Sequence, residues 1–240
     1  MAADGDRSLR VKICGLRRRE DVLAADAAGA DYVGVVLTQG FRRAVDIGNA
    51  RALTEGVRAA PVAVLVDETP DSAMAKAEAL GAQVVQLHGS EPVEVVQALA
   101  DAGRWTIWKS VRVRDPQDVD RAVERYGGLV DGLLVEGWKE GVVGGGGATL
   151  DPLSFDEVRA RVPVGVDVIL AGGLDPDSVG EAVARFLPDV VDVSSGVEID
   201  VGRKSHDRIR LFVQRARAVP WSRPGGARAE DTPQQRRAGS

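Results

Sequence analysis

Three side chains able to move protons fall at the ends of apolar runs: Cys14 in residues 11–16, His88 in 84–89 and Glu136 closing 129–136. Cys14 is the chain's one cysteine. A thiol ordinarily titrates near ~8.5, so a modest downward shift would make it a base or nucleophile near neutrality. A small buried hydrophobe is the other reading of such a residue, and the thiol alone does not choose between them. A thiolate base and a carboxylic acid on opposite sides of a sugar carbon would suit proton transfer between neighbouring carbons, which is isomerase chemistry. His88 is one of two histidines; a lone histidine is more often structural than catalytic, and its place at a strand end raises the functional odds.

Two further segments carry anion chemistry. Gly172-Gly173 follows one apolar run and Ser194-Ser195-Gly196 follows the next. Glycine lets backbone N–H groups approach a phosphate closely, so Gly172, Gly173, Ser195 and Gly196 are candidate phosphate contacts; plain turn residues are the alternative. In the loop 38–45, Arg42 and Arg43 could offer planar forks to a carboxylate or phosphate, or be a solvated pair.

These residues need elements to hold them. Apolar runs at 11–15, 32–37, 61–66, 84–89, 105–111, 129–136, 168–171 and 190–193 read as buried parallel strands, each followed by a helical pattern. Eight such units in one domain length predict an α/β fold, a single-domain (β/α)8 TIM barrel. An open doubly wound sheet is the runner-up, weakened because no G-x-G-x-x-G follows the first strand. Candidate functional residues at strand ends then share one face, where barrel enzymes do their chemistry.

The helix patterns carry finer expectations. The first, 17–28, would turn Leu23, Ala24, Ala27 and Ala28 inward and leave Asp21 to solvent. The second, 47–58, would bury Ile47, Ala50, Leu53 and Val57. The sixth would start at a Ser154 cap, the seventh directly after Asp175. Gly144 to Gly147 would form a mobile lid or a slack connection. The expected organisation is a disordered arm over 1–9, the barrel over 10–219 and a disordered tail over 220–240.

Bulk chemistry narrows the partners. Of 240 residues, 44% are hydrophobic, and 31 basic residues are scattered among 36 acidic ones for a net charge of −5. That argues against nucleic acid or a membrane surface as a partner. A single cysteine forms no internal disulfide, and no apolar stretch approaches the ~20 residues of a membrane span. The expectation is a cytoplasmic protein, monomer or homodimer, acting on a small molecule.

Four motifs in order extend the reading: Lys-Ile-Cys-Gly-Leu at 12–16, Val-Gln-Leu-His-Gly at 85–89, Leu-Ala-Gly-Gly-Leu at 170–174 and Asp-Val-Ser-Ser-Gly-Val-Glu at 192–198. In these the chain resembles the phosphoribosylanthranilate isomerase family of tryptophan biosynthesis, from Val11 to about Asp207. The resemblance implies a (β/α)8 barrel that carries out an Amadori rearrangement on a phosphoribosyl amine, with no metal and no organic cofactor. It places the general base on Cys14 and the general acid, an aspartate in the family, on Glu136. It sets Arg43 on the anthranilate side, with Arg42 as the substitute if the loop shifts by one. His88 would bind substrate, and phosphate would sit near Gly172, Gly173, Ser195 and Gly196.

Departures crowd around the acid and the aromatic half of the ligand. Glu136 is one methylene longer than aspartate, and Phe41-Arg42-Arg43 replaces a Ser-Pro-Arg type of loop. A paralogue acting on another phosphoribosylated amine, or a barrel that binds a phosphosugar without turning it over, are the alternatives.

Overall fold

The computed structural model describes residues 8–137 and 152–222. Its elements alternate as β1 Arg10–Ile13, α1 Arg19–Ala27, β2 Tyr32–Val36, α2 Ile47–Thr54, β3 Ala60–Leu65, α3 Pro70–Leu80, β4 Val84–Leu87 and α4 Val93–Ala102. The second half repeats the scheme with β5 Thr106–Val113, α5 Gln117–Tyr126, β6 Gly132–Gly137, α6 Pro152–Arg161, β7 Asp167–Ala171, α7 Val179–Phe186, β8 Val190–Val193 and α8 His206–Arg217. Between β8 and α8 lies a small antiparallel hairpin, β9 Glu198–Asp200 with β10 Arg203–Lys204. β1 pairs in parallel with both β2 and β8, so the eight strands close into a barrel.

The side-chain period of a strand splits the apolar residues into two sets. One fills the barrel: Cys14, Val62, Val64, Val84, Trp108, Leu134, Ile169, Ala171 and Val190. The other, including Val11, Ile13, Val33, Val35, Leu65 and Leu87, packs outward beneath the helices. Each fully buried Val, Leu or Ile contributes ~1.5–3 kcal/mol of transfer free energy, which is why both strand faces read as apolar. Against that background the inward polar residues near the strands' carboxyl ends stand out.

Several expected helix details are corrected. In α1 it is Val22 and Ala25 that are buried, while Leu23 is 46% exposed. The face is set by Asp21, which is buried and accepts the Lys204 N–H and a bond from His206 Nε2. A period counted on apolar residues alone misses such an anchor. α2 ends at Thr54, before Gly56 at positive φ, and Ile47 is 40% exposed. α6 begins at Pro152, so Ser154 lies within its first turn and is not its cap. α7 begins at Val179 because Asp175 first closes a turn, its Oδ1 accepting the N–H groups of Asp177 and Ser178 at 2.9 Å. β6 starts only at Gly132, because Leu129 is held in a turn by the Tyr126 carbonyl. The glycine run 144–147 lies outside the described residues, as do most of the arm and tail. No helix among the described residues is long and apolar enough to cross a membrane.

Candidate active site

The inward positions at the carboxyl ends of the strands build one cavity of about 390 Å³. Its wall includes Cys14, Arg43, His88, Glu136, Gly172, Gly173 and Ser195, drawn from widely separated strands. The structure thus brings together every candidate residue except Gly196. That glycine sits at the seam between the last two βα loops: a Cβ on it would lie 1.9 Å from the Leu174 carbonyl oxygen, so it permits the loops to touch.

β1 sends Lys12 and Cys14 inward. Cys14 follows the strand, its N–H bonded to the Val193 carbonyl at 2.8 Å, and it is buried. On β2, a Cβ at Gly34 would lie 2.9 Å from Cys14 Sγ and 3.1 Å from Lys12 Cε, so glycine leaves the gap both side chains occupy. Lys12 is fully buried and its Nζ is 2.9 Å from Asp192 Oδ1, its register partner on β8. Burial pushes the Cys14 thiol up, Lys12 and Lys204 pull it down, and Asp192 adds to the rise. The net direction is upward, away from the downward shift that would make the thiol a ready base near neutrality: desolvation outweighs the neighbouring ammonium groups.

Glu136 is also buried, and burial pushes its carboxyl up while Arg112 opposes the shift. Arg112, its register partner on β5, places Nε 3.4 Å from Glu136 Oε1. His88 Nε2 lies 3.6 Å from the same oxygen. Burial, with Lys12, Arg112 and Lys109 nearby, lowers the His88 pKa to about 3, so the imidazole is neutral and the contact is no ion pair. Gln86 Nε2 is 3.0 Å from His88 Nδ1. With the amide nitrogen donating to Nδ1, the imidazole proton sits on Nε2, on the side of Glu136.

At the opposite side, Gly172 and Gly173 take φ of 92° and 65°, the left-handed region open to glycine, and line the cavity beside Ser194 and Ser195. Arg43 reaches across Gly15 toward this end. Its Nε and Nη2 donate to both carboxylate oxygens of Glu198 at 2.8 and 2.7 Å. Glu198 also receives Lys204 Nζ at 2.9 Å. Nη1 of Arg43 has no partner among the described residues, and Phe41 and Arg42 extend the wall beside it. Among the described residues no group of three or more His, Cys, Asp or Glu is placed to hold a metal ion.

Lys12, Asp192, Gln86, Arg112, Glu198 and Lys204 were missed as site residues. A signal was available for the first two. A lysine and an aspartate inside otherwise apolar barrel strands must be paired, since an unpaired buried charge costs several kcal/mol.

A weak acid and a thiol, both shifted upward, face one cavity whose far end is lined by glycine backbone. Such a site can pass protons to and from a phosphorylated small molecule.

Comparison with known proteins agrees with this chemistry. The profile of the N-(5′-phosphoribosyl)anthranilate (PRA) isomerase family matches residues 11–215. The chain is 42% identical over 207 residues to the N-(5′-phosphoribosyl)anthranilate isomerase of Chromohalobacter salexigens, covering 85% of this chain and 92% of that one. To the Pseudomonas aeruginosa isomerase it is 38% identical over 216 residues, covering 88% and 96%. Among solved structures, the phosphoribosyl anthranilate isomerase of Thermotoga maritima superposes with a TM-score of 0.79 at 34% identity, covering 88% of this chain and all of that one. A second isomerase structure, in complex with reduced 1-(o-carboxyphenylamino)-1-deoxyribulose 5-phosphate, gives 0.76 at 32% identity over 88% of this chain and 100% of that one.

Proposed function

The chain belongs to the N-(5′-phosphoribosyl)anthranilate isomerase family, and from that premise we propose that it converts N-(5′-phosphoribosyl)anthranilate into 1-(2-carboxyphenylamino)-1-deoxyribulose 5-phosphate. The observation that carries the reading is the cavity shared by Cys14, Glu136 and the paired glycines 172 and 173.

The protonated Glu136 donates to the furanose ring oxygen. The C1′–O bond breaks, and the nitrogen lone pair forms a C1′=N bond. Cys14 as thiolate takes the proton from C2′, and the released electron pair becomes C1′=C2′ while nitrogen regains its lone pair. Loss of the 2′-hydroxyl proton to Glu136 and delivery of a proton from Cys14 to C1′ complete the ketose and reset both groups. Burial favours the acid form of Glu136 that the first step needs. His88, neutral and donating from Nε2, aims at the Glu136 carboxyl and at substrate hydroxyls beside it.

Phosphate sits on the backbone of Gly172 and Gly173 with Ser195, where a side chain would block the approach. Gly196 supports that cradle by letting its two loops meet. Arg43, clamped by Glu198, keeps Nη1 for the anthranilate carboxylate, and Phe41 offers an aromatic face to the amine ring.

The test is fluorescence-monitored turnover of freshly generated N-(5′-phosphoribosyl)anthranilate by the purified protein and by Cys14→Ala. Turnover by the parent, lost in the variant, is the expected result. A parent protein that binds ribose 5-phosphate but leaves this substrate unchanged would move the assignment to another phosphoribosylated amine.

A further inference from the structure

The mechanism uses Cys14 as a base, yet the cavity desolvates the thiolate that a base must be. The nearest compensating group is one the mechanism leaves idle. Lys12 has no exposed surface, so nothing in solvent uses its charge. Gly34 leaves one gap in which both Cys14 Sγ and Lys12 Cε lie. The two atoms therefore stand no more than about 6 Å apart, and of the charges around the thiol Lys12 exerts the strongest downward pull.

We propose that Lys12 is a positioning residue that serves as the counter-ion of the Cys14 thiolate, and that Asp192 holds the ammonium beside Cys14 and weakens its pull. The proposal rests on the reading of Cys14 as base. When the thiol gives up its proton, Lys12 turns part of its charge from Asp192 to sulfur; when Cys14 takes the C2′ proton, the Lys12–Asp192 pair is restored. Lys12 stays protonated throughout, so it transfers no proton itself.

The arrangement is specific to Lys12 among the charges around the thiol. Lys204, from the β9–β10 hairpin, is engaged by Glu198 at 2.9 Å and by the Ser194 carbonyl at 3.0 Å. Arg43, from the β2–α2 loop, is clamped by the same Glu198. β2 contributes only Gly34 at this level, and β8 contributes Asp192. The fully buried cation on the cysteine's own strand is Lys12, held by a single carboxylate.

The chain's single cysteine makes the test clean, because iodoacetamide reports on Cys14 alone in the native protein. Alkylation rate is measured against pH for the parent, Lys12→Met, Asp192→Asn and the double variant, with circular dichroism to establish folding. Lys12→Met should move the midpoint up by about 1 to 3 pH units, and Asp192→Asn should move it down. The double variant, which removes both buried charges together, should remain above the parent. In turnover assays Lys12→Met should lower kcat with little change in KM.

Two shifts in the same direction, or an unchanged midpoint in the folded double variant, would overturn the proposal. If Lys12→Met fails to fold, Asp192→Asn decides: a lower midpoint supports the proposal, and an equal or higher one ends it. The alkylation readout uses no substrate, so a parent without turnover would sink the functional reading and leave the Lys12 result to stand or fall on its own.

Discussion

At the amino-terminal rim of the barrel, Asp31, Asp131 and Asp189 each stand one residue before an even-numbered strand. Each gives a carboxylate to the second N–H of the odd-numbered strand beside it: Asp31 to Val11 at 2.7 Å, Asp131 to Ile107 at 2.7 Å and Asp189 to Val168 at 2.8 Å. The backbone N–H of each aspartate returns a bond to the same residue's carbonyl. The fourth pair lacks the carboxylate for a plain reason: the corresponding residue of β3 is Pro61, which has no N–H, and Gln83 stands where the aspartate would be. At the carboxyl-terminal rim no such repeat exists. Cys14, His88 and Glu136 there come singly, and burial shifts all three against their charged forms. The aspartates at one end are paired and stabilise the fold, while Cys14, His88 and Glu136 at the other are held in shifted protonation equilibria that a ligand can use.

The contrast breaks most sharply at Glu136. Glu136→Gln should lower kcat by ~10²–10⁴-fold, the range of general acid catalysis, with ribose 5-phosphate affinity nearly unchanged. Its stability should move the other way. The Glu136 carboxyl is raised in the folded chain, so the fold binds that proton more tightly than the unfolded chain does. Stability on this account is present below the ordinary carboxylate value and is lost as pH rises through the raised one. Thermal melts near neutral pH should therefore show the glutamine variant no less stable than the parent. A clear drop in Tm would place Glu136 with the stabilising rim.

Asp189→Asn should do the reverse. It weakens the bond to Val168 and the 2.6 Å pair with Arg159, costing ~1.5–3 kcal/mol for charge-assisted bonds. For a chain of this size each kcal/mol lowers Tm by ~2–4 °C. kcat/KM should be unchanged, and a fall in turnover with Tm intact would dissolve the division of labour between the rims.

The smallest effect belongs to Arg43, which sits at the carboxyl-terminal rim but is paired as tightly as anything at the other end. Arg43→Ala should raise KM about tenfold, ~1.4 kcal/mol, while inhibition by ribose 5-phosphate barely changes. Equal losses for both ligands would move Arg43 to the phosphate side, where its side chain already crosses Gly15.

The strand count and the strand-end positions of Cys14, His88 and Glu136 were legible in the chain, because both faces of a parallel strand are buried and each run announces itself; closure was only expected from the number of units, and the pairing of β1 with β8 decided it against an open sheet. The face of α1 was not, since the buried Asp21 that sets it looks like a solvent residue until Lys204 and His206 arrive from the far end of the chain. Gly172 and Gly173 could be read as backbone-exposing loops, whereas the role of Gly196 depended on how close Leu174 comes.

What the sequence determined by itself was the kind of chemistry: one thiol, one carboxyl and two glycine-rich loops, each tied to a strand end by local pattern. What only the tertiary structure decided was their state. The upward shift of Cys14, the neutral His88, the Arg112 beside Glu136 and the Lys12–Asp192 pair arise between residues of different strands, whose register and burial exist only once the barrel has closed. Pattern along a strand is a local property, and a protonation equilibrium is set by every charge and every lost water molecule around the group.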